Sequence, residues 1–237
     1  ITLFDWAFEL IERSGKPLLV HGEAAHPVEI MDRERRFWGT SGVYLVEKFP
    51  GLKISAEHIS TAYLVDFVKN AREGVVGTIT GHHLHTTLTD VLGRGICPDR
   101  MCMPVPKTEA DKKALRGAVI SGNPKFFLGT DSAPHPMFGD PGDSKYSARG
   151  CSGAYTGPQG VALYVPVFEE MDALDKLPGF ASQFGCDFYG IPVPKGKVLL
   201  TKREEGDLPS SYLFGKGRVA PYRYRDDGKV FWHSERV

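Results

Sequence analysis

Cysteine is scarce: four residues in 237, with no C-x-x-C pair among them. That excludes a disulfide framework and a zinc knuckle. Cys97, Cys102, Cys151 and Cys186 are expected to be reduced thiols of a cytoplasmic protein. Net charge is missing too. Lys+Arg and Asp+Glu number 29 each, which argues against a polyanion-binding protein, so no nucleic-acid partner is expected. The densest charge run, Asp32-Arg33-Glu34-Arg35-Arg36-Phe37, interleaves acids with bases and reads as a solvated helix face. Long apolar runs are lacking as well. None approaches the ~18 residues of a membrane span, and the N-terminus has acids inside its apolar stretch, unlike a secretory signal. There is no initiator Met; the chain opens on Ile1, in what reads as the middle of a helix.

What is present, at 41% hydrophobic residues, suffices to bury a sizeable core as one domain. Short apolar runs alternate with helical periodicities. Residues 4–13 predict a helix with Trp6, Ala7, Leu10 and Ile11 on one face, stopped by Gly15. A strand at 17–20 ends in His21-Gly22-Glu23, and a loop with His26 and Pro27 follows. A second strand at 52–56 ends in Glu57-His58. Ser60 is the expected N-cap of a helix with Leu64, Phe67, Val68 and Ala71 on one face, closed by Gly74. A third strand at 75–80 runs into Gly81-His82-His83-Leu84-His85. In an extended segment His83 and His85 share one face while His82 points the other way. A polar loop with Arg94 and Arg100 leads to Met101-Cys102-Met103-Pro104. Thr108-Glu109-Ala110-Asp111 resembles a capping box, ahead of a helix with Ala114, Leu115, Ala118 and Val119 inward and Gly122 at its end. Phe126-Phe127-Leu128 predicts a fourth strand, which runs into Gly129-Thr130-Asp131-Ser132-Ala133-Pro134-His135.

Alternating strands and helices predict a parallel sheet. His21, His58 and Asp131 at the same ends of successive strands point to a (β/α)8 barrel, with an open α/β sheet and half a barrel as alternatives. A carboxylate at a strand end is well placed to hold a metal or move a proton; the competing reading of Asp131 is the cap of a following helix. The loop at 139–144 fits no phosphate-binding motif and is expected to border the mouth of the site. The tail at 195–237 mixes strand-like runs with charge and is expected to pack outside the barrel.

Six segments together resemble dihydroorotase: P-L-L-V-H-G-E (17–23), E-H-I-S (57–60), F-L-G-T-D-S-A-P-H (127–135), V-F-E-E (167–170), A-L-D-K-L (173–177) and F-Y-G-I-P (188–192). The resemblance is to the single-function form of bacteria, fungi and plants, within the amidohydrolase superfamily. It implies an α/β fold, a TIM barrel of the metallo-dependent hydrolase type. It implies reversible hydrolysis of L-dihydroorotate to N-carbamoyl-L-aspartate by a zinc-activated hydroxide, in pyrimidine biosynthesis, by a cytoplasmic homodimer with two Zn2+ per site. Carried over residue by residue, His21 and His58 would hold the second zinc. Asp131 would bind the first and act as catalytic proton carrier to the leaving nitrogen. His135 would hydrogen-bond the substrate carboxylate. The backbone at Met103 and Ser152 would contact the pyrimidine ring, although the family more often shows Leu and Ala there. His82, His83 and His85 stay outside the ligand set; His83 fits the family's T-x-x-H-L as a structural or supporting residue.

The resemblance also asks for an H-x-H pair on strand one, a carboxylated lysine on strand four, and an Arg and an Asn for the substrate carboxylate. None of these is among the 237 residues. The chain is therefore expected to be strands five to eight of a barrel (1–194) plus a tail (195–237), with on the order of 100 residues of a ~250-residue barrel ahead of it. Two other readings stand beside this one. One is a non-catalytic dihydroorotase-like fragment that acts as a binding or structural partner. The other is another cyclic amidase, such as a dihydropyrimidinase or hydantoinase, against which G-T-D-S-A-P-H and His135 speak.

Overall fold

Four short runs of apolar residues, each followed by a polar turn, become the strands of one sheet. The computed structural model describes residues 1–93 and 95–237, with Glu204, Glu205 and Asp207 as backbone only. Arg94, expected in a polar loop, lies outside the described residues. The strands are β1 (Leu18–Val20), β2 (Ile54–Ala56), β3 (Val75–Ile79) and β4 (Phe126–Leu128). They pair in parallel in the order β1-β2-β3-β4, with Leu18 opposite Ile54, Ile54 opposite Val75 and Gly77 opposite Phe126. Residues of β2 and β3 are buried on both faces, as befits inner parallel strands covered by helices.

Helices form the crossovers. α1 (Asp5–Ser14) precedes β1, and α2 (Arg33–Phe37) and α3 (Val43–Lys48) lie between β1 and β2. α4 (Ala62–Asn70) links β2 to β3. α5 (Gly81–His85), α6 (Leu88–Leu92) and α7 (Glu109–Ile120) link β3 to β4, and α8 (Val165–Glu170) and α9 (Phe184–Tyr189) follow. One main core runs through most of them, with Trp38, Leu45, Ile54, Ile59, Leu64, Val68, Ile79, Tyr164, Phe168 and Phe180 buried in it, while Phe184 and Phe188 of α9 pack with Val76 and Phe127 in a smaller cluster. Each fully buried Leu, Ile or Val among them contributes about 1.5–3 kcal/mol of transfer free energy.

The capping box at Thr108 and Asp111 forms, and the four cysteines are free thiols. Four local expectations are corrected. The cap of α4 is Thr61, whose Oγ1 accepts from Leu64 N (3.2 Å), because the Ser60 hydroxyl is turned to Glu34 instead. Residues 81–85 are helical rather than extended. α1 packs Phe8 and Ile11 on the core and leaves Trp6 and Leu10 68% and 61% exposed. The run at 32–37 is not wholly a solvated face, since Glu34 is buried.

The tail adds β5 (Val198–Asp207), β6 (Tyr212–Phe214), β7 (Gly217–Val219) and β8 (Lys229–Arg236). β5 pairs antiparallel with β8, and β6 with β7. β8 is docked on α8 through Trp232 Nε1–H, which donates to Glu169 Oε2 at 3.0 Å. Tyr222 is fully buried: its N–H donates to Tyr155 O (2.8 Å) and its carbonyl accepts from Gln159 Nε2 (2.7 Å). Among the described residues no helix is long and apolar enough to cross a membrane.

Candidate active site

Parallel strands present all their C-terminal ends on one edge of the sheet. His21 is the first residue beyond β1, Glu57 and His58 follow β2, and Asp131 lies three residues beyond β4. His21 Nδ1 and His58 Nε2 come within 3.0 Å, with the rings edge to face and centroids 4.7 Å apart. His21 Nε2 is 3.1 Å from Glu23 Oε2. A carboxylate only accepts, so Glu23 fixes the His21 proton on Nε2 and turns the Nδ1 lone pair toward His58. His58 is buried and its Nδ1 has no partner among the described residues. Burial, with His21 beside it, holds the His58 imidazole down to about 4, so the ring is neutral near neutral pH.

Two residues at this edge carry left-handed backbone without being glycine: His58 (φ 43°) and Asp131 (φ 41°). Such conformations cost of order 1 kcal/mol or more and persist where the surroundings over-determine them. Thr78 on β3 supplies much of that determination. Its Oγ1 accepts from His58 N–H (2.7 Å) and donates to Glu57 Oε2 (2.9 Å). On its other side it presses on Gly129, where a Cβ would sit 2.6 Å from Thr78 Cβ; only glycine fits ahead of Asp131. No helix starts at Asp131, so it is not a cap. Partial burial pushes its carboxyl up, the His21 charge pulls it down and the Glu57 charge adds to the rise. Asp131 therefore lies within electrostatic reach of both strand ends.

Glu34 is the buried support of the His58 loop. Its Oε1 accepts from Ser60 N–H (2.8 Å) and Ser60 Oγ (3.2 Å), and its Oε2 from Thr61 Oγ1. Burial pushes this carboxyl up, and the hydroxyl and amide donors and Lys107 counter it. Charge patterning gave no sign of this role, because α2 otherwise presents Arg35 and Arg36 to solvent.

The other expected residues form a second wall. The His135 ring lies on Gly153, where a Cβ would come within 2.8 Å of its Cδ2 and Nε2. Ala133 N–H donates to Ala154 O (3.0 Å), and Gly153 N–H to Met101 O (2.8 Å). These bonds bring the segment of Ser152 beside that of Met103 and both beside His135. His83 joins this wall to the sheet: Thr80 Oγ1 is 2.7 Å from its Nδ1, and its Nε2 is 2.9 Å from Pro104 O.

Two donor sets can be weighed for a metal. His82, His83 and Cys102 are mutually close and buried. Yet the Pro104 carbonyl only accepts, so His83 Nε2 carries a proton and its Nδ1 is taken by Thr80. Cys102 donates to Pro104 O (3.3 Å) and burial pushes its thiol up to about 12, far from the thiolate a metal needs. His83 and Cys102 are thus committed elsewhere, which leaves His82, whose ring nitrogens have no partner among the described residues, as the one free donor of that cluster. His21, His58 and Asp131 fit better. Two imidazoles, one with a buried nitrogen lacking a partner among the described residues and the other oriented by a carboxylate, are donors typical of a zinc ion, and the accessible Asp131 carboxylate stands apart from that pair as a separate donor.

No family model matches the chain. It is 44% identical over 232 residues to the dihydroorotase of Hahella chejuensis, covering 96% of this chain and 65% of that protein. It is 42% identical over 239 residues to the dihydroorotase of Stutzerimonas stutzeri, covering 99% and 67%. The crystal structure of Saccharomyces cerevisiae dihydroorotase in complex with 5-fluoroorotic acid superposes with a TM-score of 0.85 at 32% identity, over 99% of this chain and 67% of that one. The chain thus spans about two thirds of the length of the relatives it matches.

Proposed function

The chain belongs to the dihydroorotase family, and from that premise we propose that it supplies part of the active site for the reversible hydrolysis of L-dihydroorotate to N-carbamoyl-L-aspartate. The observation that carries the reading is the His21–His58 pair, 3.0 Å apart on neighbouring strand ends with Asp131 in electrostatic reach. The sheet order β1-β2-β3-β4, each strand beside its successor, is that of consecutive barrel strands, and we assign them as strands five to eight of a (β/α)8 barrel.

His21 and His58 would hold one zinc and Asp131 would bind another. Bound zinc lowers the pKa of water to ~7 and polarises the amide carbonyl. Asp131 would accept the proton of the attacking water and hand it to the ring nitrogen as the C–N bond breaks. His135 would donate to the substrate carboxylate, and the backbone at Met103 and Ser152 would contact the pyrimidine ring. On this reading the protein would act in pyrimidine biosynthesis, and the resemblance implies a cytoplasmic homodimer.

The test is the protein expressed from its complete reading frame, assayed for zinc content and for turnover of L-dihydroorotate and of dihydrouracil. Two zinc ions per chain with dihydroorotate turnover is the expected result. Hydrolysis of dihydrouracil alone, or fewer than two zinc ions with no turnover, would overturn the proposal.

A further inference from the structure

We infer that Lys145 is a positioning residue for the substrate-binding wall, its buried ammonium holding together the two backbone segments that carry Met103 and Ser152. The inference rests on the proposed dihydroorotase reading. Lys145 is only 5% exposed. Its Nζ donates to Gly153 O at 2.7 Å, Cys151 O at 3.2 Å and Met101 O at 3.3 Å. An ammonium has three donors and no acceptor, so these three carbonyls use it completely. No carboxylate bonds to it among the described residues. Asp99, whose charge reaches it, accepts instead from Tyr146 Oη at 2.6 Å.

A buried ammonium without a bonded counter-ion is costly unless all its donors are used. The same cost makes the arrangement stiff, because releasing any one carbonyl leaves a buried donor unpaired. Lys145 also ties in the third residue of the wall. Its own N–H donates to Pro136 O at 2.8 Å, one residue past His135. The His135 ring rests on Gly153, and Gly153 N–H donates to Met101 O. The Lys145 side chain is thus bonded into the segments of Met103 and Ser152 and its backbone N–H into that of His135, while none of its hydrogen bonds among the described residues goes to His21, His58 or Asp131. Removing its donors should loosen substrate binding and leave the metal-type ligands in place.

The experiment compares Lys145→Met, which keeps the stem and removes the donors, with the unaltered protein from its complete reading frame. KM for L-dihydroorotate should rise about tenfold or more, with kcat within about threefold and zinc content unchanged. Amide hydrogen exchange at Cys151 and Gly153 should speed at least about tenfold, while β2 and β3 keep their protection. A lowered melting temperature with unchanged KM would reduce Lys145 to a structural residue and overturn the inference. The exchange arm needs no substrate. If the unaltered protein does not turn over dihydroorotate, the functional reading falls by itself, and unchanged exchange at Gly153 would still refute the clamp. Should Lys145→Met fail to fold, Lys145→Gln, which retains two donors, should raise KM about threefold, and an unchanged KM in that variant would equally refute it.

Discussion

The two walls of the site are built by different means. The wall of His21, His58 and Asp131 stands on strand ends, and its supports are the sheet itself and short side chains that reach between neighbouring strands, such as Thr78. The wall of Met103, Ser152 and His135 has no regular structure under it. Its segments are held by crossing backbone bonds and by one buried lysine. A sheet sets positions within tenths of an ångström, as metal ligands require. Loops leave room to adapt to a substrate. The comparison implies that damage to the first wall should abolish chemistry or metal binding, while damage to the second should appear in substrate affinity.

The largest effect should come from Asp131→Ala. Removing the proposed proton carrier should lower kcat on the order of 10^4-fold, with the fold retained because Asp131 is exposed. A variant with more than a tenth of normal kcat would break the assignment of chemistry to the strand ends. Next comes acid stability, which probes the joint between the walls. Burial holds His83 down to about 3, against an ordinary value of 6.5. A depressed histidine stabilises the fold above its unfolded pKa, and that stability is lost as pH falls from 6.5 toward 3. The expected loss is roughly 3–5 kcal/mol across the window. His83→Gln, which does not titrate, should make the fall in unfolding free energy between pH 6 and 4 shallower by about one proton's slope in denaturant titration, the other depressed histidines, His58, His82 and His85, keeping the rest. An unchanged slope would show that His83 is already protonated in the fold.

How much of this the sequence showed differs between the walls in the same way. His21, His58 and Asp131 were legible because each lies within three residues of a strand end, and strand ends are marked by local apolar runs. The roles that the family resemblance implies for them are the proposal tested above. Their supports were not legible, because each acts across the chain: Thr78 on His58 from 20 residues away, Glu34 on Ser60 from 26, Lys145 on Met101 from 44. Nothing in a charge run distinguishes the one acid that is buried. The helix at Gly81–His85 was misread as extended because three histidines carry little local preference; Thr80 and Pro104, on either side of the His83 ring, fix its place. The inward face of α1 was only partly legible for a similar reason: Ile11 packs on the core as expected, but apolar residues lie on more than one side, and the fold buries Phe8 in place of Trp6 and Leu10.

Thr78→Val sharpens the first half of the comparison. Val keeps the shape and removes the oxygen, leaving His58 N–H buried without its acceptor and Glu57 without its donor. The expected cost is about 1–3 kcal/mol in unfolding free energy, together with about 10- to 100-fold weaker zinc retention measured by competition with a chelator. KM for substrate should change little. A variant that retains zinc normally would show that β2 and β3 position His58 without Thr78.

His135→Ala tests the second half, where the effect should be confined to substrate affinity. The ring lies against Gly153, so its loss removes a surface the loop rests on as well as a donor to the substrate carboxylate. A hydrogen bond to a charged group contributes about 1.5–3 kcal/mol, so KM should rise at least tenfold, with kcat and zinc content nearly unchanged. Lys145→Met should produce the same kinetic pattern by a different route, with one distinction. In His135→Ala the Gly153 amide keeps its bond to Met101 O, because Lys145 still holds both carbonyls, and its hydrogen exchange should stay slow. Loss of zinc from His135→Ala would break the comparison, since it would mean that the loop wall also carries the strand-end ligands.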